Sequence, residues 1–157
     1  MVKIPLNGGL YYLIENRQPI GFDRILPDSG LLILKVDPSA PEGYGTVKVM
    51  DADKNSPHFS HATFRLDRPN RNIFIDKNAN IVVIPFLQEG QGQGVLITTV
   101  EKSADALKAA LMIKKLVARS PKPRDHQGNR LIEESIACFK TYDFKACHER
   151  MPKELND

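Results

Sequence analysis

The spacing of apolar residues changes near residue 100. Before that point, short runs rich in Val, Ile, Leu, Phe and Tyr alternate with clusters of Gly, Pro, Asn and Asp, a pattern typical of strands joined by turns. After that point, apolar residues recur every three or four positions, as on one face of a helix. The sequence therefore predicts a β-sandwich domain over residues 1–100 and a helical appendage over 101–157, packed on or beside it.

The first hundred residues contain about seven predicted strands. Val47 and Val49 alternate with polar neighbours, as a half-exposed strand requires. The runs at 30–34 and 80–87 are apolar on both faces, which indicates central strands. Pro85 lacks a backbone N–H and marks an edge, a bulge or a strand end. Short strands at this spacing favour a sandwich or a barrel-like domain. The predicted strands cover residues 9–17, 30–37, 45–51, 62–67, 72–76, 80–87 and 94–100.

The last third of the chain is predicted to hold one long helix and then a helical hairpin. The first helix begins near Ser103 and ends before the prolines of 120–123, which cannot continue it. A second helix over 129–140 and a short third helix over 144–151 are joined by a tight turn. The predicted fold class is α+β, a mainly antiparallel β-sandwich followed by a C-terminal helix and a helical hairpin.

Cys138 and Cys147 lie on either side of the turn in this predicted hairpin. Two cysteines are too few for a disulfide framework, and their spacing does not match a zinc knuckle. Facing positions on antiparallel helices bring them within reach of a disulfide, which would be typical of an exported or hyperthermophilic protein. Two free, buried thiols are the preferred interpretation.

Charge and hydropathy exclude several classes of function. The net charge of +3 is small for 157 residues, and no block of like charges indicates a nucleic-acid-binding surface. No apolar run reaches the ~18–20 residues that cross a bilayer. The opening residues contain no apolar core of the length that a signal peptide has, so the sequence itself predicts no export signal in this chain.

One loop contains a set of potential metal ligands, Asp51, Asp53, His58 and His61. Two carboxylates and two imidazoles within eleven residues suit zinc, and the aspartates with nearby carbonyls suit calcium. Their spacing matches no closed zinc site, and Asp after a strand commonly makes turn hydrogen bonds. A solvated loop without a cofactor is the preferred interpretation. A metal-dependent hydrolase that uses these four residues is the alternative.

Other candidate chemistry is sparse. The glycine-rich stretch at 89–94 precedes a strand and lacks the Lys-Ser/Thr of a phosphate loop, so a hairpin loop is predicted. Arg65, Arg68 and Arg71 suggest a small anion patch, although an exposed turn is the preferred interpretation. Neither H-E-x-x-H nor G-x-S-x-G occurs. The sequence therefore predicts a protein that is not an enzyme.

Four polar residues, Glu15, Asn16, Arg17 and Gln18, directly follow an apolar run. In a strand, Glu15 and Arg17 share one face and their opposite charges can pair. Asn16 and Gln18 share the other face, where their amides can bond to loop backbone. We interpret the four side chains as a structural polar network that fixes the following loop.

The loop after this network also contains apolar residues. We expect Ile20, Phe22, and Ile25 or Leu26 to hold it against the hydrophobic core.

Residues 11–53 resemble a segment of secreted zinc metalloproteases of the immune-inhibitor-A type. The shared patterns are Y-x-L-I-E-N-R-Q, then G-F-D, then L-P-x-S-G-L-L-I-x-x-V-D. The matching residues are Tyr12, Leu13 to Gln18, Gly21 to Asp23, Leu26, Pro27, Ser29 to Ile33, Val36 and Asp37. The resemblance implies the β-rich C-terminal accessory domain of that family, an extracellular setting, and no catalytic residue, because the family's zinc helix lies in an upstream domain.

These observations lead to one preferred function and two alternatives. The preferred function is a non-catalytic structural or binding module that contacts a protein or glycan surface. Besides the metal-dependent hydrolase, the second alternative is that the chain is a fragment whose enzyme includes an upstream domain. An uncovered edge strand also allows a homodimer.

Overall fold

Within residues 1–119 and 126–150, which the computed structural model describes, seven antiparallel strands form two sheets. The strands are β1 (Val2–Pro5), β2 (Tyr11–Arg17), β3 (Gly30–Val36), β4 (Val47–Val49), β5 (Phe74–Asp76), β6 (Ile81–Glu89) and β7 (Gly92–Thr98). Their order is β1-β2-β3-β4 in the first sheet and β5-β6-β7 in the second. The runs at 30–34 and 80–87, which are apolar on both faces, are predicted as central strands. This prediction is confirmed, since β3 and β6 each have a strand on both sides.

Three helices follow the sheets, α1 (Ser103–Arg119), α2 (His126–Lys140) and α3 (Phe144–Arg150). Helix α1 packs on β6, and all three helices contact one another. The α+β fold class is confirmed, with a mainly antiparallel, sandwich-like β part and C-terminal helices. Among the described residues, no helix combines the length and the apolar character that crossing a membrane requires.

One predicted strand is wrong, and one strand of the structure is not predicted. Residues 62–67 form no strand, since Phe64 makes only an isolated antiparallel bridge with Leu31. Residues 2–5 form β1, which pairs with β2, although the run is too short and too polar to be recognised in sequence. The hairpin loop predicted over residues 89–94 is shorter in the structure, where only residues 90–91 separate β6 from β7.

The two sheets pack face to face around a shared core. Its buried members are Tyr12, Ile14, Leu31, Ile33, Phe64, Phe74 and Val83. The rings of Tyr12 and Phe74 meet edge to face with centroids 5.2 Å apart. The Tyr12 hydroxyl donates a hydrogen bond of 2.6 Å to Asp76, so β2 of the first sheet is also joined to β5 of the second by a polar contact.

A second core lies on the opposite face of β6. Val83 faces the first sheet, whereas Val82 and Ile84 face the helices, as the two-residue period of a strand dictates. There they pack against the small residues Ala106, Ala109 and Ala110 of α1, all fully buried. Strand β6 is therefore covered on both faces, which explains why its sequence is continuously apolar.

Candidate binding site

A buried ion pair joins the loop before β3 to the segment that follows the predicted metal loop. Arg71 donates a hydrogen bond to Asp28, and their side chains are 11% and 10% exposed. The Thr63 hydroxyl lies 2.6 Å from the same carboxylate. Burial opposes ionisation of Asp28, but the bonds from Thr63 and Arg71 outweigh it and hold the pKa of Asp28 below its ordinary value.

Gly30 permits the segment that contains Phe64 and Arg65 to lie close to β3. Its φ of +135° is a backbone conformation that side-chain-bearing residues rarely adopt. A Cβ at this position would lie 2.7 Å from the carbonyl oxygen of Phe64 and 2.8 Å from Cγ of Arg65. The close approach allows Leu31 and Phe64 to exchange both backbone hydrogen bonds, at 3.0 and 2.8 Å.

The close approach of this segment to β3 also positions the side chain of Arg65. Its Nε and Nη2 each donate a 3.0 Å hydrogen bond to the Asp67 carboxylate, and Nη1 donates a 3.2 Å bond to the Ser29 hydroxyl. A guanidinium carries five N–H donors, so these three bonds leave donor capacity on both Nη1 and Nη2. The bonds that Arg65 donates to Asp67 also raise the pKa of Arg65, which is fully charged at neutral pH.

Arg65 lines a cleft of about 440 Å³ between the β2–β3 loop, the second sheet and α1. Lys114 of α1 supplies a second cation, and Asp67 is the one carboxylate among the lining residues. Gln18 and Gln93 add neutral amides, and the Gln93 amide is held by the backbone carbonyl of Phe86 at 2.5 Å. We call this space the cleft. The charges of its lining residues therefore sum to one positive charge.

A second groove of about 440 Å³ adjoins the cleft along α1. Its apolar lining residues are Leu66, Pro69, Leu111 and Met112, and its polar ones are Asp67, Asn72, Lys108, Lys114 and Lys115. Leu66, Asp67 and Lys114 line both spaces, so the two are direct neighbours. We call this space the α1 groove.

The loop between β2 and β3 exposes its apolar residues. Phe22 is 99% exposed, Ile25 is 89% exposed and Ile20 is 48% exposed. The expectation that these residues hold the loop against the core is therefore wrong; only Leu26 is half-buried. The loop forms its own short 3-10 turn, Gly21–Ile25, whose backbone hydrogen bonds do not depend on core contacts. We call Ile20, Phe22 and Ile25 the apolar tip.

The four polar residues after the first apolar run make three kinds of contact. Arg17 Nε lies 3.6 Å from Glu15 Oε1, but this buried nitrogen has no hydrogen-bond partner within the described part of the chain. The Asn16 amide donates to the carbonyl of Gln91 in the β6–β7 turn at 2.8 Å. Gln18 donates to Asn16 at 2.8 Å and lines the cleft. This network therefore joins the base of the loop to the second sheet.

In the predicted metal loop, the aspartates accept hydrogen bonds that shape the turn. Asp51 accepts one from the backbone N–H of Asp53, and Asp53 accepts one from Asn55, both at 3.1 Å. His58 lies in the 3-10 turn Pro57–Phe59 with a φ of +54°. In the described parts of the chain, no group of three or more His, Cys, Asp or Glu residues is arranged to hold a metal ion.

Three side chains of the same loop do meet. Ser56 Oγ donates to Asp53 at 2.8 Å and lies 2.8 Å from His61 Nδ1. The Ser56 bond, followed by the Asn55 bond, lowers the pKa of Asp53. In a nucleophilic triad, the imidazole lies between serine and aspartate, whereas here the serine lies between the other two. The Ser56 hydroxyl therefore donates its proton to the Asp53 carboxylate, and the arrangement is that of a polar turn.

Cys138 and Cys147 are free, buried thiols in the structure. Cys147 Sγ lies 3.7 Å from the carbonyl oxygen of Ser135. Burial, and next the neighbouring Cys138, raise the pKa of Cys147 to about 12, so its reactive thiolate form is scarce at neutral pH.

Sequence reasoning singled out the arginines but missed their partners. Asp28, Thr63 and Lys114 carry no local signal, because each meets its partners across long stretches of chain. Gln93 lies in a stretch that was predicted to be a loop but belongs to β7. Of the three arginines, Arg71 is buried in an ion pair and Arg65 lines the cleft, whereas Arg68 is exposed.

No protein-family model, curated protein or solved structure matches this chain. The resemblance of residues 11–53 to the metalloprotease family therefore stays a prediction.

Proposed function

We propose that the protein is a non-catalytic binding module that docks a partner protein on the apolar tip and the adjoining cleft. The observation that supports this proposal is the exposure of Phe22 and Ile25, at 99% and 89%, on the loop between β2 and β3. Burial of each in an interface would contribute about 1.5–3 kcal/mol. Large exposed apolar side chains grouped on one loop are typical anchors of protein interfaces.

The loop joins the apolar tip to the cleft. Gln18 and Pro19 at its start and Ser29 at its end line the cleft, so both ends of the loop that carries the tip border the cleft. Three side chains provide far less than the ~800 Å² per partner that a stable interface buries. A partner that covers the tip must therefore extend over neighbouring surface, and the cleft borders the same loop.

Charge favours an acidic partner protein over a lipid surface. The turn Gly21–Ile25 contains one acid and one base, Asp23 and Arg24, and so lacks the basic excess with which proteins bind anionic membranes. The cleft carries an excess positive charge from Arg65 and Lys114 over Asp67. Complementary charge on the partner would speed association and fix the register of the complex.

The relation to metalloprotease accessory domains belongs to the same proposal. Its support is the shared pattern of residues 11–53, which includes the loop that carries the tip. A module beside a protease domain would use such a surface to hold a protein substrate or another domain.

Selection of displayed random dodecapeptides against the immobilised full chain tests the proposed function. We expect enrichment of peptides that contain acidic and apolar residues. The double variant Phe22→Ser/Ile25→Ser should lose that enrichment. The matched control is Tyr44→Ser, which removes an 80% exposed aromatic side chain from a different loop and should retain it.

Failure of any peptide to be enriched would overturn the proposed function, as would equal enrichment by the double variant. Sedimentation of the protein alone provides a second readout. A dimer that dissociates in the double variant would show that the tip binds a second copy of this chain rather than a partner protein.

A further inference from the structure

We infer that the cleft and the α1 groove together bind an extended peptide segment in which an apolar residue lies two positions from a carboxylate. The inference rests on the proposed function and specifies the chemistry of the segment. It follows from the adjacency of a cationic space and an apolar space that share Leu66, Asp67 and Lys114.

The cationic space suits a singly charged carboxylate. Arg65 retains unused donors on Nη1 and Nη2 after bonding Asp67 and Ser29, and a carboxylate matches this planar geometry. Lys114 of α1 supplies a second positive charge among the lining residues. Asp67 is bonded to the same guanidinium and would repel a doubly charged phosphate more strongly than a carboxylate.

The apolar space suits a single large side chain. Lys108, Leu111, Met112 and Lys115 follow the i, i+3, i+4, i+7 spacing of one helix face. Leu66 and Pro69 supply the facing wall. The groove thus combines an apolar interior with lysines, a composition that accepts an aliphatic side chain next to a negatively charged one.

The adjacency sets the spacing of the two groups in the ligand. Lys114, which lines both spaces, follows Leu111 of the groove by three residues on α1, a rise of about 5 Å. In an extended peptide, side chains on the same face are about 7 Å apart and belong to residues i and i+2. The nearest same-face pair in an extended peptide, an apolar residue and an acidic residue at i and i+2, is therefore the spacing that we assign to the ligand.

Four synthetic octapeptides in a Gly-Ser host test the inference. The first contains Leu-Ser-Glu, the second replaces Leu by Ser, the third replaces Glu by Gln, and the fourth separates Leu from Glu by five serines. Calorimetric titration of the full chain should give binding about tenfold weaker for each of the last three. Because these changes are made in the ligand, they leave the folding of the protein untouched.

Variants of the protein assign each contact. Arg65→Gln should abolish the preference for Glu over Gln and retain the preference for Leu over Ser. Arg68→Gln, at an exposed arginine that lines neither space, is the matched control and should retain both preferences.

The outcomes separate this inference from the proposed function. A preference for Glu without a preference for Leu, or equal binding by the long-spaced peptide, would overturn the inference. Octapeptides that fail to bind, while selected dodecapeptides bind in a manner that requires Phe22 and Ile25, would overturn the inference and leave the proposed function standing. Absence of binding in both experiments would overturn both.

Discussion

At the scale of single residues, Gly30 determines how closely the Arg65 segment approaches β3. We expect Gly30→Ala to lower the free energy of unfolding by about 2–3 kcal/mol, because the new Cβ would clash with the carbonyl of Phe64 in addition to straining the backbone. Gly43→Ala is the matched control, since Gly43 has a φ of +83° with no atom within 4 Å of the position of a Cβ. Gly43→Ala should lower the free energy of unfolding by only about 1–2 kcal/mol.

Urea unfolding of the two glycine variants measures this difference. Equal losses for both would contradict the account, because they would show that backbone strain alone, without the steric contact, limits residue 30.

Asp28 should make stability depend on acid pH. Its folded pKa lies below the ordinary value of 3.8, so its contribution is complete above that value and is lost as pH falls through the lower folded pKa. Asp28→Asn should lower the free energy of unfolding at pH 7 by about 3 kcal/mol, because the charge of Arg71 would remain largely buried without a counter-charge. Below pH 4, the difference between the variant and the parent should shrink.

Denaturant unfolding at a series of pH values from 7 to 2 provides the measurement. Glu42→Gln, which removes one exposed carboxylate, controls for the change in net charge. A constant difference between Asp28→Asn and the parent across the whole range would exclude a lowered pKa at this residue.

At the scale of elements, the loop that carries the apolar tip should contribute little to folding. Phe22→Ser/Ile25→Ser should stay within about 0.5 kcal/mol of the parent in free energy of unfolding, because both side chains are exposed. Leu31→Ala, at a fully buried position, should lose about 2–5 kcal/mol in the same assay. A loss of more than 2 kcal/mol in the double variant would mean that the tip packs against the fold.

Helix α1 depends on small residues where it crosses the second sheet. Ala110 is fully buried, and Ala110→Leu should lower the free energy of unfolding by about 1–3 kcal/mol through overpacking. Ala118→Leu, the same substitution at an exposed position of the same helix, should change it by less than about 0.5 kcal/mol. Similar effects of both substitutions on thermal unfolding would contradict the packing of α1 on the second sheet.

The elements show which kinds of structure could be predicted from sequence. Runs that are apolar on both faces predicted β3 and β6 as central strands, because only a covered sheet tolerates them. The 3.6-residue period and the prolines predicted the extent of α1. The segment 62–67 is predicted as a strand because apolar residues between turn clusters indicate burial, but they do not indicate whether the backbone has a neighbour to pair with.

At the scale of the whole molecule, the candidate site could not be predicted because its contacts join distant parts of the chain. Asp28 and Arg71 are 43 positions apart, and Lys114 is brought to Arg65 only by the packing of α1 beside the second sheet. The exposure of Phe22 was missed for a related reason. Hydrophobicity indicates that a side chain favours burial. Whether it is buried depends on whether the surrounding elements can cover it.

The claim that most of the account depends on is that the apolar tip and the cleft form one docking surface. Amide chemical-shift mapping tests it most directly, by titrating the isotopically labelled full chain with the strongest selected dodecapeptide. We predict that the largest shifts cluster in residues 18–30, 64–67 and 111–115. A cluster elsewhere, such as in the loop over 51–61, or the absence of any localised shift at saturating peptide, would contradict the claim.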